Sequence, residues 1–290
     1  MTDAGPFLLT FDMDGVLYRG AEALPDAAAS LVQLRGAGFL LGFLTNNSWY
    51  PVEEYVTKLA RMGIESRPEE YMTSAMAAGI LAADEYPAGA AVAVGGPGLQ
   101  HCLTGAGLHL LDPIDLEGPQ PDLVVAGVDW NLTYAKLARA QRAILGGAAF
   151  WATNVDPRYP VENGHFLPGA GATVAALEAS TGIAARLIGK PSSLTVELLM
   201  EARGVAPRDT LMIGDQLATD ILAGNRAGCR SALVTTGVSS AEEAEQCWGD
   251  RRPTAVFESL ASLTESLCDR DFMIQRREPP LIQKPAAGTF

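Results

Sequence analysis

Four short apolar runs in this chain each break off into a polar cluster. Leu8-Leu9-Thr10-Phe11 gives way to Asp12-Met13-Asp14-Gly15, and Leu40-Leu41-Gly42-Phe43-Leu44 to Thr45-Asn46-Asn47. Leu187-Ile188-Gly189 leads to Lys190-Pro191-Ser192, and Leu211-Met212-Ile213 to Gly214-Asp215, with Asp220 five residues later on an amphipathic stretch. Runs with so few polar breaks are the pattern of parallel strands covered on both faces. Helical patterns alternate with them, which points to an α/β fold. In open α/β sheets ligand sites collect beyond the carboxyl ends of the strands, where all four clusters would lie. Taken singly, Asp-x-Asp-Gly and Thr-Asn-Asn also suit turns, Lys190 suits a solvated charge, and Asp215 suits a helix cap. Taken in order, they match one pattern.

The bulk properties narrow the class. The chain has 290 residues, long enough for one or two domains with a substantial core. With 48% hydrophobic and 19% charged residues, disorder is not the default. A formal net charge of −13 argues against nucleic acid or an anionic membrane surface as partner. It also opposes any anionic ligand at long range, so attraction to one must be local. No run of about 18 apolar residues occurs, and the N-terminus lacks a signal-peptide pattern, so the expected location is cytoplasmic. Cys102, Cys229, Cys247 and Cys268 are scattered without CxxC spacing, and reduced thiols are expected. His101, His109 and His165 form no HxxxH pair that would suggest zinc.

Helices are expected from after Pro25 to about Arg35, from Val52 to about Met62, and from Ser74 towards Asp84. Glu85-Tyr86-Pro87-Ala88-Gly89 then breaks the pattern. Residues 85–184 carry their own strand and helix set, including Leu123-Val124-Val125-Ala126 and Tyr134 to Leu145. Lying between the Thr45 and Lys190 clusters, this block reads as an inserted domain. The expected division is a core of 1–84 and 185–274, a cap of 85–184, and a flexible tail of 275–290.

On these motifs the chain resembles the haloacid dehalogenase superfamily of phosphohydrolases, whose marks are DxDG, a strand-terminal Thr or Ser, a Lys, and GDxxxxD. Within it the likeness is to the NagD-like nucleotidases, p-nitrophenyl phosphatases and phosphoglycolate phosphatases. It extends to Val16-Leu17-Tyr18-Arg19-Gly20, Val94-Gly95-Gly96-Pro97-Gly98, Val128-Asp129, Ala152-Thr153-Asn154 and Pro168-Gly169-Ala170-Gly171, over roughly residues 5–270. Gln216 stands where members often carry Arg and some carry Asn, which leaves the carboxylates intact. The resemblance implies a Rossmann-like parallel-sheet core with an inserted mixed α/β cap, and a phosphatase acting on small phosphorylated metabolites.

It also implies roles. Asp12 is the expected nucleophile, ionised at neutral pH and able to form an aspartyl phosphate. Asp14 is the expected acid and base. To be half protonated at neutral pH it would need a rise of about 3 pKa units, roughly 4 kcal/mol. Mg²⁺, a hard cation that keeps several waters, is expected on Asp12, the backbone carbonyl of Asp14, and Asp215. Asp220 would orient Lys190 or a metal-bound water. Thr45, Asn46, Asn47 and Lys190 would hold the phosphoryl oxygens. The cap is expected to choose the substrate, with Asp129-Trp130, Thr153-Asn154-Val155-Asp156 and Arg158-Tyr159-Pro160-Val161 either facing it or packing. Phosphoglycolate, glycerol phosphate, a nucleoside monophosphate, a sugar phosphate and pyridoxal phosphate all remain open, as does a homodimer. The alternatives are a phosphomutase of the same fold and a non-catalytic metabolite-binding module. A phosphonate hydrolase would need a cap lysine, and only Lys136 is available there, on what reads as a solvated helix face.

Overall fold

A computed structural model describes residues 7–160 and 165–269. The expected tail, 275–290, lies outside the described residues, as does Val161. The chain divides into two compact units, one drawn from Met1–Leu44, Leu59–Ser66 and Val196–Phe290, the other from Thr45–Lys58 and Arg67–Thr195. The second takes in all of the block expected as a cap, together with the segments that carry Thr45 and Lys190.

The first unit is built on a parallel sheet whose strands run, side by side, Ala255–Phe257, Arg230–Val234, Thr210–Gly214, Leu8–Asp12 and Leu40–Thr45. Leu8–Asp12 is central and buried along its whole length. Its Leu8, Leu9 and Phe11 are fully covered, which explains a run without apolar-polar alternation. Each such side chain contributes on the order of 2 kcal/mol of apolar burial. Thr10 is tolerated in this run because its hydroxyl donates to Leu211 O at 3.2 Å. Register pairs Phe11 with Ile213 and Asp12 with Leu44, so the acidic ends of two neighbouring strands emerge at the same edge. Helices Ala27–Gly36 and Leu260–Cys268 pack on each other, the second capped by Ser259 Oγ, which accepts the Ser262 N–H at 3.2 Å.

The second unit has its own sheet, ordered Arg186–Leu187, Ala149–Ala152, Leu123–Ala126, Ala90–Val94 and His109–Leu110, parallel throughout. Helices Tyr134–Leu145 and Ala170–Thr181 bury Ala140, Ala143, Ile144, Val174 and Leu177 against Val92, Val124 and Phe150. Thr133 caps the first of these, its hydroxyl accepting the Lys136 N–H at 3.3 Å. An antiparallel hairpin, Arg158–Pro160 with Phe166–Pro168, is added. Helix Ser74–Glu85 starts at the residue expected, capped by Thr73, whose hydroxyl accepts the Met76 N–H at 3.0 Å. Among the described residues no helix is long and apolar enough to cross a membrane.

Candidate active site

In the first unit Asp12 ends its strand only 8% exposed, whereas Asp14 is exposed. Between them Met13 is buried and its carbonyl accepts the N–H groups of Leu17 and Tyr18 at 2.9 and 3.3 Å, folding the chain back on itself. Gly15 makes the bend at φ +85°, and a Cβ there would meet Asp215 Oδ2 at 2.5 Å. The close approach of that backbone to the second acidic motif therefore requires glycine. The Gly15 carbonyl is itself held by the Thr236 hydroxyl at 2.7 Å.

Asp215 follows strand Thr210–Gly214 and is 1% exposed. Its Oδ2 accepts the Val238 N–H at 2.8 Å, and its carbonyl accepts the Ser239 N–H at 2.9 Å. Asp220 is fully buried on a short π-helical turn, Leu217–Ile221. Its Oδ2 accepts the N–H groups of Asp215 and Gln216 at 3.2 and 3.1 Å, so it fixes the loop that presents Asp215. One carboxylate oxygen each from Asp12, Asp215 and Asp220 lie within 4.8 Å of one another. At an effective dielectric near 20, two like charges at such a distance repel by roughly 3 kcal/mol, and burial adds a desolvation cost. A divalent cation that prefers hard oxygen ligands relieves both. These residues therefore fit a Mg²⁺-type ion. Asp14 stands outside the side-chain cluster.

The second unit gathers the other expected residues. Thr45 Oγ1 accepts the Asn47 N–H at 3.2 Å, which leaves the hydroxyl proton to donate. Asn47 Nδ2 donates to the Tyr159 hydroxyl at 3.1 Å, Asn47 Oδ1 accepts the Trp49 N–H at 2.9 Å, and Asn47 O accepts from Tyr55 Oη at 3.0 Å. Burial, with Tyr159 and Tyr50 adding to it, pushes the Tyr55 phenol well above its ordinary value. Asn46 Nδ2 donates to Asp156 Oδ2 at 3.1 Å and to Lys190 O at 2.9 Å. Lys190 is 4% exposed. Trp130 stacks on Trp49 with ring centroids 4.2 Å apart and meets the edge of Tyr159 at 5.6 Å, so both aromatic residues have packing roles within this unit. Lys136 is not solvated as expected: its ammonium pairs with Asp129 at 2.7 Å.

Two supports escaped the sequence reading. The segment Thr236 to Ser239 holds both Gly15 and Asp215, and Ser74 Oγ donates to Asn46 O at 2.6 Å. The first had a signal, since Thr235-Thr236-Gly237 follows the apolar run Ala232-Leu233-Val234 as the other polar clusters follow theirs. The second had none, because the contact joins a helix start to a loop remote in sequence.

The sequence matches the model of the haloacid dehalogenase-like hydrolases over residues 9–109 and that of the HAD-hydrolase-like proteins over 187–263. It is 37% identical over 249 residues to an acid sugar phosphatase of Staphylococcus haemolyticus, covering 86% of this chain and 92% of that protein. With human chronophin it shares 38% identity over 273 residues, 89% of this chain and 92% of the relative. Among solved structures, the glycerol phosphate phosphatase of Mycobacterium tuberculosis in complex with magnesium superposes with a TM-score of 0.83 at 35% identity, covering 90% of this chain and 77% of that one. The parallel sheet, the acidic strand ends and these likenesses define a phosphoric monoester hydrolase. The chain belongs to the haloacid dehalogenase-like hydrolase family.

Proposed function

We propose that this protein hydrolyses small phosphate monoesters with Mg²⁺ bound at Asp12, the backbone carbonyl of Asp14, and Asp215. The buried cluster of Asp12, Asp215 and Asp220 carries the reading. The bound ion supplies positive charge where carboxylate and phosphoryl charges converge. A carboxylate oxygen of Asp12 attacks phosphorus, the bond to the ester oxygen breaks, and the departing alkoxide takes a proton from Asp14. Asp14 then takes a proton from the water that attacks the aspartyl phosphate, which releases inorganic phosphate and restores both side chains. Its exposure supports a residue that must meet leaving group and water in turn. Asp220 acts through the backbone N–H groups it holds, keeping Asp215 in place. Thr45 donates its hydroxyl to a phosphoryl oxygen, the backbone of Asn46 and Asn47 lies beside it, and Lys190 neutralises the charge.

The division into a core of 1–84 and 185–274 and a cap of 85–184 is part of the same proposal. The separate parallel sheet of the second unit, four of whose five strands lie within 85–184, supports it. The names of two relatives, acid sugar phosphatase and glycerol phosphate phosphatase, favour sugar and polyol phosphates as the first substrates to try. Cytoplasmic action accords with thiols scattered without CxxC spacing, and a homodimer is a matter for sedimentation.

The test is phosphate release from a panel of sugar, polyol, nucleoside, pyridoxal and glycolate phosphates, with and without Mg²⁺, beside Asp12→Asn. Release that needs both the metal and Asp12 is expected. Release by Asp12→Asn at the wild-type rate would remove the nucleophile assignment, and silence of the wild type across the panel would remove the function.

A further inference from the structure

Asn46 sits at the centre of a closed set of hydrogen bonds within the second unit. Its amide nitrogen lies 3.1 Å from Asp156 Oδ2 and 2.9 Å from Lys190 O. Carboxylate and carbonyl oxygens only accept, so the amide must turn its nitrogen to them, and both of its donors are used there. The backbone carbonyl of Asn46 accepts from Ser74 Oγ at 2.6 Å and from Asn154 Nδ2 at 2.7 Å. Asn154 Oδ1 closes the circle by accepting the Asp156 N–H at 3.1 Å. The remaining side-chain polar atom, Asn46 Oδ1, is buried without a hydrogen-bond partner. Leaving a buried acceptor unmatched is costly, so the amide is oriented by its two donor bonds at the expense of its oxygen.

The residue before Lys190 is pressed against this group. Gly189 N donates to Thr153 O at 2.9 Å, and a Cβ on Gly189 would fall 2.6 Å from Asn46 Oδ1. Only glycine lets the Lys190 segment come this close.

We infer that Asn46 and Asp156 are positioning residues for Lys190: Asp156 fixes the amide of Asn46, and that amide clamps the backbone carbonyl of Lys190, so that the ammonium is held where a phosphoryl group is bound. The inference rests on the reading of Lys190 as a phosphoryl ligand. It also moves the side chain of Asn46 from direct phosphate contact to support of the residue that makes it. Displacing a charged group by a fraction of an ångström weakens every interaction it makes with substrate, so the loss is read in phosphate affinity.

The experiment compares wild type with Asp156→Ala and Asn46→Asp in the presence of Mg²⁺. The readouts are the inhibition constant of inorganic phosphate, kcat and KM for the best ester, and the melting temperature. Asn46→Asp keeps the side-chain volume and removes both donors, so it carries the test if Asp156→Ala does not fold. Each variant should raise the phosphate inhibition constant and KM by about tenfold, with kcat falling less. Asp156→Asn, which retains an oxygen acceptor, should recover most of that loss. Combining Asn46→Asp with Asp156→Ala should cost no more than the worse single change, since both act through one clamp. Inhibition constants within twofold of wild type in folded variants, or penalties that multiply in the double variant, would overturn the inference. Wild type is measured first, and a wild type without Mg²⁺-dependent turnover would defeat the phosphatase reading instead.

Discussion

The two units hold their functional groups by opposite means. In the first, three buried carboxylates are crowded within 4.8 Å, and backbone N–H groups of Val238, Asp215 and Gln216 hold two of them in place. In the second, the groups around Asn46 are mostly neutral amides, hydroxyls and carbonyls that, Asn46 Oδ1 apart, bond to one another. Like charges brought this close gain stability when a cation binds among them, whereas a network of neutral groups has no net charge for a cation to offset. The first unit should therefore respond strongly to metal and charge, and the second should not.

The most severe way to test the charged side is to neutralise Asp12. Asp12→Asn removes the nucleophile while keeping volume, and turnover is expected to fall on the order of 10⁴-fold or more. The rise in melting temperature on adding Mg²⁺ should shrink, because one of the three clustered carboxylate charges is gone. Turnover and melting measured on the same sample separate the two effects. Metal removal comes next: exhaustive chelation should abolish turnover, Mg²⁺ should restore it, and Mg²⁺ should raise the wild-type melting temperature by ligand linkage. Asp215→Asn should erase that rise. A melting temperature still raised by Mg²⁺ in Asp215→Asn would place the ion elsewhere.

The same contrast explains what the sequence could reveal. Asp12 and Asp14, and likewise Asp215 and Asp220, lie within one motif each, at the ends of runs whose burial on both faces is visible as unbroken apolar residues. Strand ends in a parallel sheet share an edge, so local patterns were enough to bring Asp12 and Asp215 together. The support of Asp215 by Val238 crosses 23 residues and that of Asn46 by Asp156 crosses 110, with no periodicity linking the partners. Thr153-Asn154-Val155-Asp156 was visible as a polar stretch, yet whether it faced substrate or packed was undecidable without the fold. Amides carry the same ambiguity at Asn46 and Asn47, whose donors serve a turn, a phosphate or a neighbour equally well. The expected solvated face at Lys136 failed for a related reason: helical periodicity placed the residue, and only tertiary structure supplied Asp129 as its partner.

On the neutral side, Asn154→Ala is the corresponding probe. It removes the donor to Asn46 O and the acceptor of the Asp156 N–H, both in a buried setting. The expected loss is about 2 kcal/mol of unfolding free energy, the same in chelator and in Mg²⁺ beyond the common linkage shift. Denaturant titrations in both conditions check this. A loss present only with metal would show that the amide network and the ion site are coupled, and the contrast between the units would fail.

An effect that is smallest near neutral pH grows in alkaline solution and belongs to groups held neutral by burial. Burial, with Glu53 adding, pushes the Cys102 thiol up to about 11, and burial, with Glu197 adding, pushes that of Cys229 up to about 12, from an ordinary 9.0. The Tyr55 phenol that donates to Asn47 O is raised well above 10.0. For all three the folded state keeps a proton that the unfolded state gives up. Their contribution to stability is thus complete below the unfolded value and is lost as pH rises above it. Between pH 9 and 10 the thiols dominate, and buried Cys229 alone should lower unfolding free energy by at most about 1.4 kcal/mol per pH unit. Above pH 10 Tyr55 adds to the slope. Urea midpoints should therefore fall from about pH 9 to 11, more steeply above pH 10. Replacing Cys102 and Cys229 by Ala should reduce the slope throughout, and Tyr55→Phe only its part above pH 10, because Phe has no proton to lose. If the midpoint stayed level from pH 8 to 11, these groups would have to ionise in the folded chain as readily as in the unfolded one, and the hydrogen bond from Tyr55 to Asn47 would not be the fixed support that the loop after Thr45 requires.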